Sequence, residues 1–161
     1  MQSRFSAEHV RIVDVPAIRV AMLKHRGDAA ALGDSIARFI AWRKQVGLRP
    51  AVSATFNVFH PDPGQFHIDL CAATDEPVAP NDAGVVAGEI PAGRCAVLRQ
   101  VGGGDDLRPA IAFLHDQWLP ASGEALRDFP VYAQRVAFFP EVAESQAVTD
   151  IYLPLNAVGG A

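Results

Sequence analysis

Four residues that can ligate a metal ion or move protons lie close together in the middle of the chain. His60 and Asp62 belong to a proline-rich turn, and His67 and Asp69 follow on a predicted strand, where their spacing gives them one face. Imidazole and carboxylate groups are ligands for zinc and related metals. A further ligand at a recognisable spacing is missing, and aspartate in such a turn commonly bonds the backbone. The sequence therefore predicts no metal site and no other cofactor.

Nucleophilic and phosphate-binding chemistry find little support. The chain shows no serine, histidine and aspartate set in a catalytic order. Cys71 and His67 share a predicted face but lie four residues apart, about 13 Å along a strand and too far for direct pairing. The glycines at 102–104 precede Asp105 and Asp106, not the Gly-Lys-Ser/Thr ending of a phosphate-binding loop. They predict a turn followed by a helix cap.

The elements that must position these residues occur twice. Residues 15–27 reappear at 90–102, with six of thirteen positions identical and four more similar in character. A long period with two copies predicts a duplicated supersecondary unit, because a solenoid needs at least about three repeats. Two like halves related by a pseudo-twofold axis enclose a cleft, and such clefts favour ligand binding.

Each half has the pattern of one βαββ unit. The first half predicts strands over 9–25 (broken at Pro16), 55–60 and 65–74, with a helix that Asp28 or Asp34 caps and Gly47 ends. The second half predicts strands over 85–101 (broken at 91–93), 131–138 and 149–155, with a helix that stops at Pro120. The helix residues expected to be buried are Ile36, Phe39, Ile40 and Val46 in the first half, and Ile111, Phe113, Leu114 and Trp118 in the second.

Length and composition predict one α+β domain over residues 1–161. Half of the residues are hydrophobic, which is enough for a full core. Repeat one spans about 9–74, a linker about 75–84, repeat two about 85–155, and the tail 156–161 is expected to be loose. The two cysteines, Cys71 and Cys95, are predicted to be small buried side chains in a reducing compartment.

Charge and hydropathy argue against several function classes. The formal net charge is −4 and the basic residues are scattered, which argues against direct nucleic-acid binding. No apolar run approaches the roughly 18 residues of a membrane span, and the first residues lack the apolar segment of a signal peptide. The sequence predicts a cytoplasmic protein without membrane contact.

Strand alternation separates an apolar face from a polar one. On the strand over 65–74, Ile68 and Leu70 alternate with His67 and Asp69, so the first pair is expected on the helix and the second in the cleft. In the last strand Asp150 and Tyr152 take the corresponding polar positions. The repeat also matches residues 55–59 with 131–135, but pattern alone leaves open which of their faces meets the cleft.

The order and spacing of seven segments resemble those of a known family. The segments are 20–27, 57–63, 67–71, 90–97, 118–123, 126–130 and 150–155. The chain resembles the GyrI-like small-molecule-binding family from about Val10 to Leu155. This family includes the stand-alone DNA gyrase inhibitory protein and the effector-binding domains of multidrug-responsive transcription regulators. The resemblance implies tandem βαββ repeats in antiparallel sheets, with helices on one side and a ligand cleft on the other.

One departure from the family pattern bears on ligand charge. A strand in the second half of the family carries Pro-x-aromatic-Glu-x-Tyr, with the glutamate in the cleft. Here residues 130–135 place Ala133 at the glutamate position and Arg135 at the tyrosine position. A buried carboxylate among aromatic rings suits lipophilic cations. Its loss predicts neutral or anionic planar ligands, held by Arg135 through a carboxylate or phosphate, or a neutral cleft if Asp69 pairs with Arg135.

The sequence thus predicts a bacterial protein that binds a small aromatic or amphipathic molecule non-covalently and does not catalyse a reaction. The repeat matches Asn57 with Ala133 and Phe59 with Arg135, so Asn57 and Phe59 are also expected in the site. Two alternatives stay open. One is a protein-interaction module with DNA gyrase or another protein as partner; the other is a hydrolase of strained electrophilic molecules that uses His67 or Asp69 as base. The predicted ligand-binding residues are Asn57, Phe59, His67, Asp69, Ala133, Arg135 and Tyr152.

Overall fold

The described residues fold as an α+β protein of antiparallel strands, two longer helical segments and short 3-10 turns. The computed structural model describes residues 5–61, 66–102, 107–137 and 142–157, with Glu144 described by its backbone alone. The strands in these ranges are β1 (Val10–Val15), β2 (Ile18–Gly27), β3 (Thr55–Phe59), β4 (Phe66–Ala73), β5 (Val86–Ile90), β6 (Gly93–Val101), β7 (Tyr132–Ala137) and β8 (Val148–Pro154). The predicted strand break at Pro16 is confirmed, and the one predicted at 91–93 occurs at 91–92, with Gly93 already in β6.

The described residues form two compact units, each with four antiparallel strands. The continuous unit is Ala17–Pro91, with strand order β3-β4-β2-β5. The split unit joins the residues up to Pro16 with those from Ala92 onward, with strand order β1-β6-β8-β7. The chain thus passes from one unit to the other at two Pro-Ala steps, 16–17 and 91–92, which belong to the repeated segment.

The first and fifth strands each pair in the unit formed mainly by the opposite half of the sequence. β1 pairs with β6, with Val10 opposite Leu98 and Asp14 opposite Arg94. β5 pairs with β2, with Ile90 opposite Ile18. Both pairings complete their sheets with sequence-distant partners, so each unit needs chain from both predicted halves.

Helix α1 (Leu32–Val46) packs on the sheet of the continuous unit. Asp28 accepts a hydrogen bond from the Ala30 backbone N–H at 2.9 Å and begins the turn before α1. Gly47 ends the helix with φ of 80°, a left-handed conformation that glycine adopts without strain. The predicted end at Gly47 is confirmed, but Asp28 caps the short turn before α1 and not α1 itself, whose N-cap is Ala31.

The predicted buried stripe of α1 is largely wrong. Phe39 is buried, but Ile36, Ile40 and Val46 are 39–48% exposed. Hydrogen bonds of Ser35 and Arg43 explain why α1 is rotated about its axis away from the predicted stripe. The His25 ring of β2 hydrogen-bonds the Ser35 hydroxyl at 2.7 Å, and the Arg43 guanidinium donates to the Thr55 hydroxyl at 2.8 Å and to the Ser53 carbonyl at 2.9 Å. They bring Phe39 and Trp42 onto the sheet, in a cluster with Ala21, Leu23, Leu70, Ala72 and Val85.

The helical segment of the split unit continues past Pro120, so the predicted stop there is wrong. It comprises α2 (Arg108–Ala112), a π-helical stretch over Phe113–Trp118 and α3 (Leu119–Ser122). Pro120 lies in the first turn of α3, where its missing N–H and fixed φ are tolerated. Gly123, with φ of 77°, ends the segment. Of the residues expected to be buried, Phe113 and Leu114 are buried, while Ile111 and Trp118 are half-buried.

Several sequence predictions fall outside the described residues. These are Asp62 in the turn, the strand residues Gln65 and Phe138, the helix caps Asp105 and Asp106, and residues 158–161 of the tail. Among the described helices, none is both long and apolar enough to span a membrane.

The orientation of α1 predicts a sharp contrast between two neighbouring apolar residues. Phe39→Ala removes a ring that is 5% exposed and should lower the free energy of unfolding by about 3–5 kcal/mol, since the cavity adds to the lost burial. Ile36→Ala, at 39% exposure, should change it by less than about 0.5 kcal/mol. Urea denaturation of both variants checks the prediction. Equal losses would show that α1 buries the stripe expected from the sequence.

Candidate functional site

The register between β3 and β4 decides which β3 side chains accompany His67 and Asp69. Residues directly opposite in an antiparallel pair have side chains on the same face. Val58 is opposite Asp69, whereas Asn57 is opposite Leu70 and Phe59 opposite Ile68. Since Leu70 packs against α1, Asn57 and Phe59 lie on the helix-packed face. The sequence analysis expected Asn57 and Phe59 on the face of His67 and Asp69, and the structure places them on the opposite face.

The same correction applies to β7 in the split unit. Ala133 is opposite Ile151 and Arg135 is opposite Thr149, so both lie on the apolar face of β8. Tyr132 is opposite Tyr152 instead. The expectation that Ala133 and Arg135 share a face with Tyr152 is wrong, because the register places the other parity of β7 beside Tyr152.

We call His60, His67 and Asp69 the histidine–aspartate cluster of the continuous unit. His60 Nε2 lies 2.7 Å from Asp69 Oδ2 and donates a hydrogen bond to it. His67 Nε2 lies 3.5 Å from Asp69 Oδ1. The two imidazole rings stack with centroids 3.9 Å apart and planes 12° apart. The backbone N–H of His60 donates to the His67 carbonyl at 3.1 Å, which holds the two residues across the β3–β4 hairpin.

Two cationic residues of β2 flank this cluster. Arg26 Nε donates to His67 Nε2 at 3.4 Å, so that nitrogen carries a lone pair in this arrangement. Lys24 is opposite Asp69 in the β2–β4 register and is exposed. The Asp69 side chain is 5% exposed, and burial of a carboxylate is costly unless such partners offset it.

An aromatic and polar group occupies the corresponding face of the split unit. The Tyr132 and Tyr152 rings stack with centroids 4.8 Å apart and planes 4° apart. The Tyr152 hydroxyl donates to Gln134 Oε1 at 3.4 Å. Arg99 binds Asp150 in bidentate fashion, at 2.8 Å and 3.0 Å, and the Asp150 side chain is 7% exposed.

Buried thiol and phenol groups lie beside this stack. The Cys95 thiol is 3.7 Å from the Tyr132 hydroxyl. Burial raises the pKa of the Tyr132 phenol well above its usual range, and Cys95 adds to the shift. Burial likewise raises the pKa of the Cys95 and Cys71 thiols. Both cysteines are free and buried, as the sequence predicts, and neither has the low pKa of a reactive nucleophile.

Four residues on these polar faces were missed by the sequence reasoning: Arg26, Arg99, Tyr132 and Gln134. The repeat held a signal for two of them. The β3–β4 and β7–β8 registers match if Tyr132 corresponds to Phe56 and Gln134 to Val58. That correspondence was available from the sequence; the choice of parity was not.

The comparisons with known proteins agree with this architecture. Residues 8–156 match the GyrI-like small molecule binding domain. The chain belongs to the GyrI-like family. The probable transcriptional regulator YgiV of Escherichia coli K12 is 41% identical over 152 residues, which cover 91% of this chain and 95% of YgiV.

Solved structures show the same fold at low sequence identity. The EcmrR C-terminal domain aligns with a TM-score of 0.74 and 18% identity, over 92% of this GyrI-like chain and 98% of that domain. The protein SAV2435 bound to tetraphenylphosphonium aligns with a TM-score of 0.55 and 10% identity, over 92% and 94% of the two chains. The chain is thus a GyrI-like small-molecule-binding domain related to the effector-binding domains of regulators.

The raised phenol pKa predicts a loss of stability at alkaline pH. A raised folded-state pKa stabilises the GyrI-like domain fully below the unfolded-state pKa of about 10, and this contribution falls above it by up to about 1.4 kcal/mol per pH unit. Because phenylalanine cannot ionise, Tyr132→Phe should give a shallower alkaline decline than wild type. Urea midpoints measured from neutral pH to above pH ~10 check this. The conclusion fails if Tyr132→Phe and wild type decline in parallel.

Proposed function

We propose that this GyrI-like domain binds neutral or anionic aromatic small molecules without reacting with them. The observation that carries the proposal is the state of the two buried carboxylates on the polar strand faces. Asp69 is hydrogen-bonded to His60, and Asp150 is held by two bonds from Arg99. A lipophilic cation needs a carboxylate to offset its charge in a desolvated site. Here both candidates already have basic partners.

Tyrosine stacking supplies the aromatic surface. Tyr132 is fully buried and supports Tyr152, which remains half-buried. Offset stacking on a fixed aromatic ring favours flat ligands. Arg99, whose side chain is 52% exposed, can donate to an anionic substituent while its bonds to Asp150 fix its position. The proposal therefore keeps Tyr152 and adds Arg99, Tyr132 and Gln134.

The contacts of the histidine–aspartate cluster favour binding over hydrolysis. A general base must present a lone pair to the attacking water. Asp69 Oδ2 accepts from His60 and His67 Nε2 accepts from Arg26, while Asp69 Oδ1, which accepts no hydrogen bond among the described residues, is buried. Ala133 lacks a titratable group and lies on the apolar face of β8, so it adds no base to the polar face. We therefore favour a non-catalytic role over the hydrolase alternative.

We also infer that the two units descend from one βαββ element, as the sequence repeat suggests. The support comes from the registers. Asp14 opposite Arg94 in the split unit corresponds to Glu89 opposite Arg19 in the continuous unit. The β3–β4 and β7–β8 pairings likewise correspond residue by residue. An acidic and a basic residue thus recur at one cross-strand position.

The charge preference is testable by thermal shift with planar aromatic ligands matched in size but neutral, anionic or cationic. Neutral and anionic ligands should raise the melting temperature, since binding at one hundred times Kd adds about 2.7 kcal/mol. Tyr152→Ala should remove this shift, whereas Phe66→Ala should keep it. Phe66 is also an exposed aromatic residue, at 38%, but lies on the Ile68 face of β4 by strand alternation. Stabilisation by cations alone would overturn the proposal.

Arg99→Ala tests the physical reason for the preference. The substitution leaves the Asp150 carboxylate without its bidentate partner, so binding of tetraphenylphosphonium should appear or strengthen at least about tenfold, or roughly 1.4 kcal/mol. Lys44→Ala, which removes an exposed cation from α1, is the matched control and should leave cation binding unchanged. Circular dichroism verifies that both variants are folded. Equal cation affinity in Arg99→Ala and wild type would refute the role given to Asp150.

A further inference from the structure

We propose that the histidine–aspartate cluster is a binding site for a divalent transition metal ion, with zinc as the reference ion. The ligands are one imidazole nitrogen each from His60 and His67 and a carboxylate oxygen of Asp69. Their candidate ligand atoms all lie within 4.8 Å of one another. The sequence analysis named these three residues but predicted no metal, because a further ligand at a recognisable spacing is missing.

The separations suit a small ion with tetrahedral geometry. Zinc bonds to nitrogen and oxygen are about 2.0–2.2 Å long, which places neighbouring ligand atoms roughly 3.3 Å apart. His67 Nε2 and Asp69 Oδ1 are already 3.5 Å apart. His60 Nε2 and Asp69 Oδ2, at 2.7 Å, share a hydrogen bond that the ion replaces. The two rings must turn out of their parallel stack, which the 27% exposure of the His60 side chain allows.

One atom of the cluster points independently to a ligand. Asp69 Oδ1 is buried and, among the described residues, accepts no hydrogen bond. The residue as a whole is 3% exposed. A buried carboxylate oxygen without a donor carries the full desolvation cost of that oxygen. A bound cation would satisfy this oxygen, and His60 gives it access from solvent.

The surrounding charges define the expected chemistry. Two imidazoles and one carboxylate favour zinc, copper, nickel or cobalt over magnesium and calcium, which prefer all-oxygen sites. Arg26 competes directly, since its Nε donates to the lone pair of His67 Nε2 at 3.4 Å. Lys24 adds a second nearby cation. The site is therefore weakened by its own neighbours, and removal of Arg26 should tighten metal binding.

The test uses untagged, chelator-treated protein titrated with Zn²⁺ by calorimetry and with Co²⁺ by visible absorption, which reports coordination geometry. Wild type should bind one ion per chain. His60→Ala and His67→Ala should each weaken binding at least about tenfold, and Arg26→Gln should strengthen it. His115→Ala is the matched control, because His115 and Asp116 form an exposed pair at 3.2 Å without a second histidine; its affinity should equal that of wild type.

Imidazole nitrogen NMR of the wild type keeps the test decisive if a variant does not fold. The chain has five histidines, and zinc should shift the ring nitrogens of His60 and His67 alone. Shifts at His9, His25 or His115 instead would overturn the proposal. So would the absence of one-to-one binding, or equal affinity in wild type and a folded His60→Ala. Organic-ligand binding is measured separately, so failure here leaves the proposed function standing.

Discussion

A carboxylate buried in a β-sheet must find a basic partner, and this constraint organises both units. β4 and β8 each carry one such residue, Asp69 and Asp150, at 3% and 5% exposure. Uncompensated burial of either charge would cost several kcal/mol or force protonation. In the continuous unit the partner of Asp69 is His60, which follows β3. In the split unit the partner of Asp150 is Arg99 of β6. The choice of partner sets what each face can bind: Asp69 Oδ1 accepts no hydrogen bond among the described residues, whereas Arg99 donates to both oxygens of Asp150.

Family membership and local charge give different information about this chain. The fold is shared with EcmrR and with the tetraphenylphosphonium-bound SAV2435, but at 18% and 10% identity the side chains that meet a ligand are not inherited with it. The resemblance implies a carboxylate where this chain has Ala133, and the β7 register places Ala133 on the apolar face. Ligand preference therefore depends on the residues that do occupy the polar face, Tyr152 and its neighbours.

Sequence patterns predicted what local chemistry determines. The strand breaks, the Gly47 cap and the alternation of β4 all follow from backbone preferences or from the alternating polar and apolar residues of one strand. The sequence patterns failed where both faces of a strand or helix carry apolar residues. In β3, Phe56 and Phe59 make either face acceptable, so pairing with β4 decides. In α1, Ile36 and Ile40 gave a plausible stripe, but the buried bonds of Ser35 and Arg43 fixed another rotation. Such long-range polar contacts leave no periodic signal.

The placement of β1 has a consequence for synthesis on the ribosome. The continuous unit is complete in sequence once Pro91 has been made, so it can fold while the rest of the chain is still emerging. β1 is made first yet must wait for β6, because Val10 pairs with Leu98. Until then it is an unpaired strand, the kind of segment that recruits other chains. Arg11 and Asp14 place opposite charges within its six residues, which discourages premature pairing during that interval.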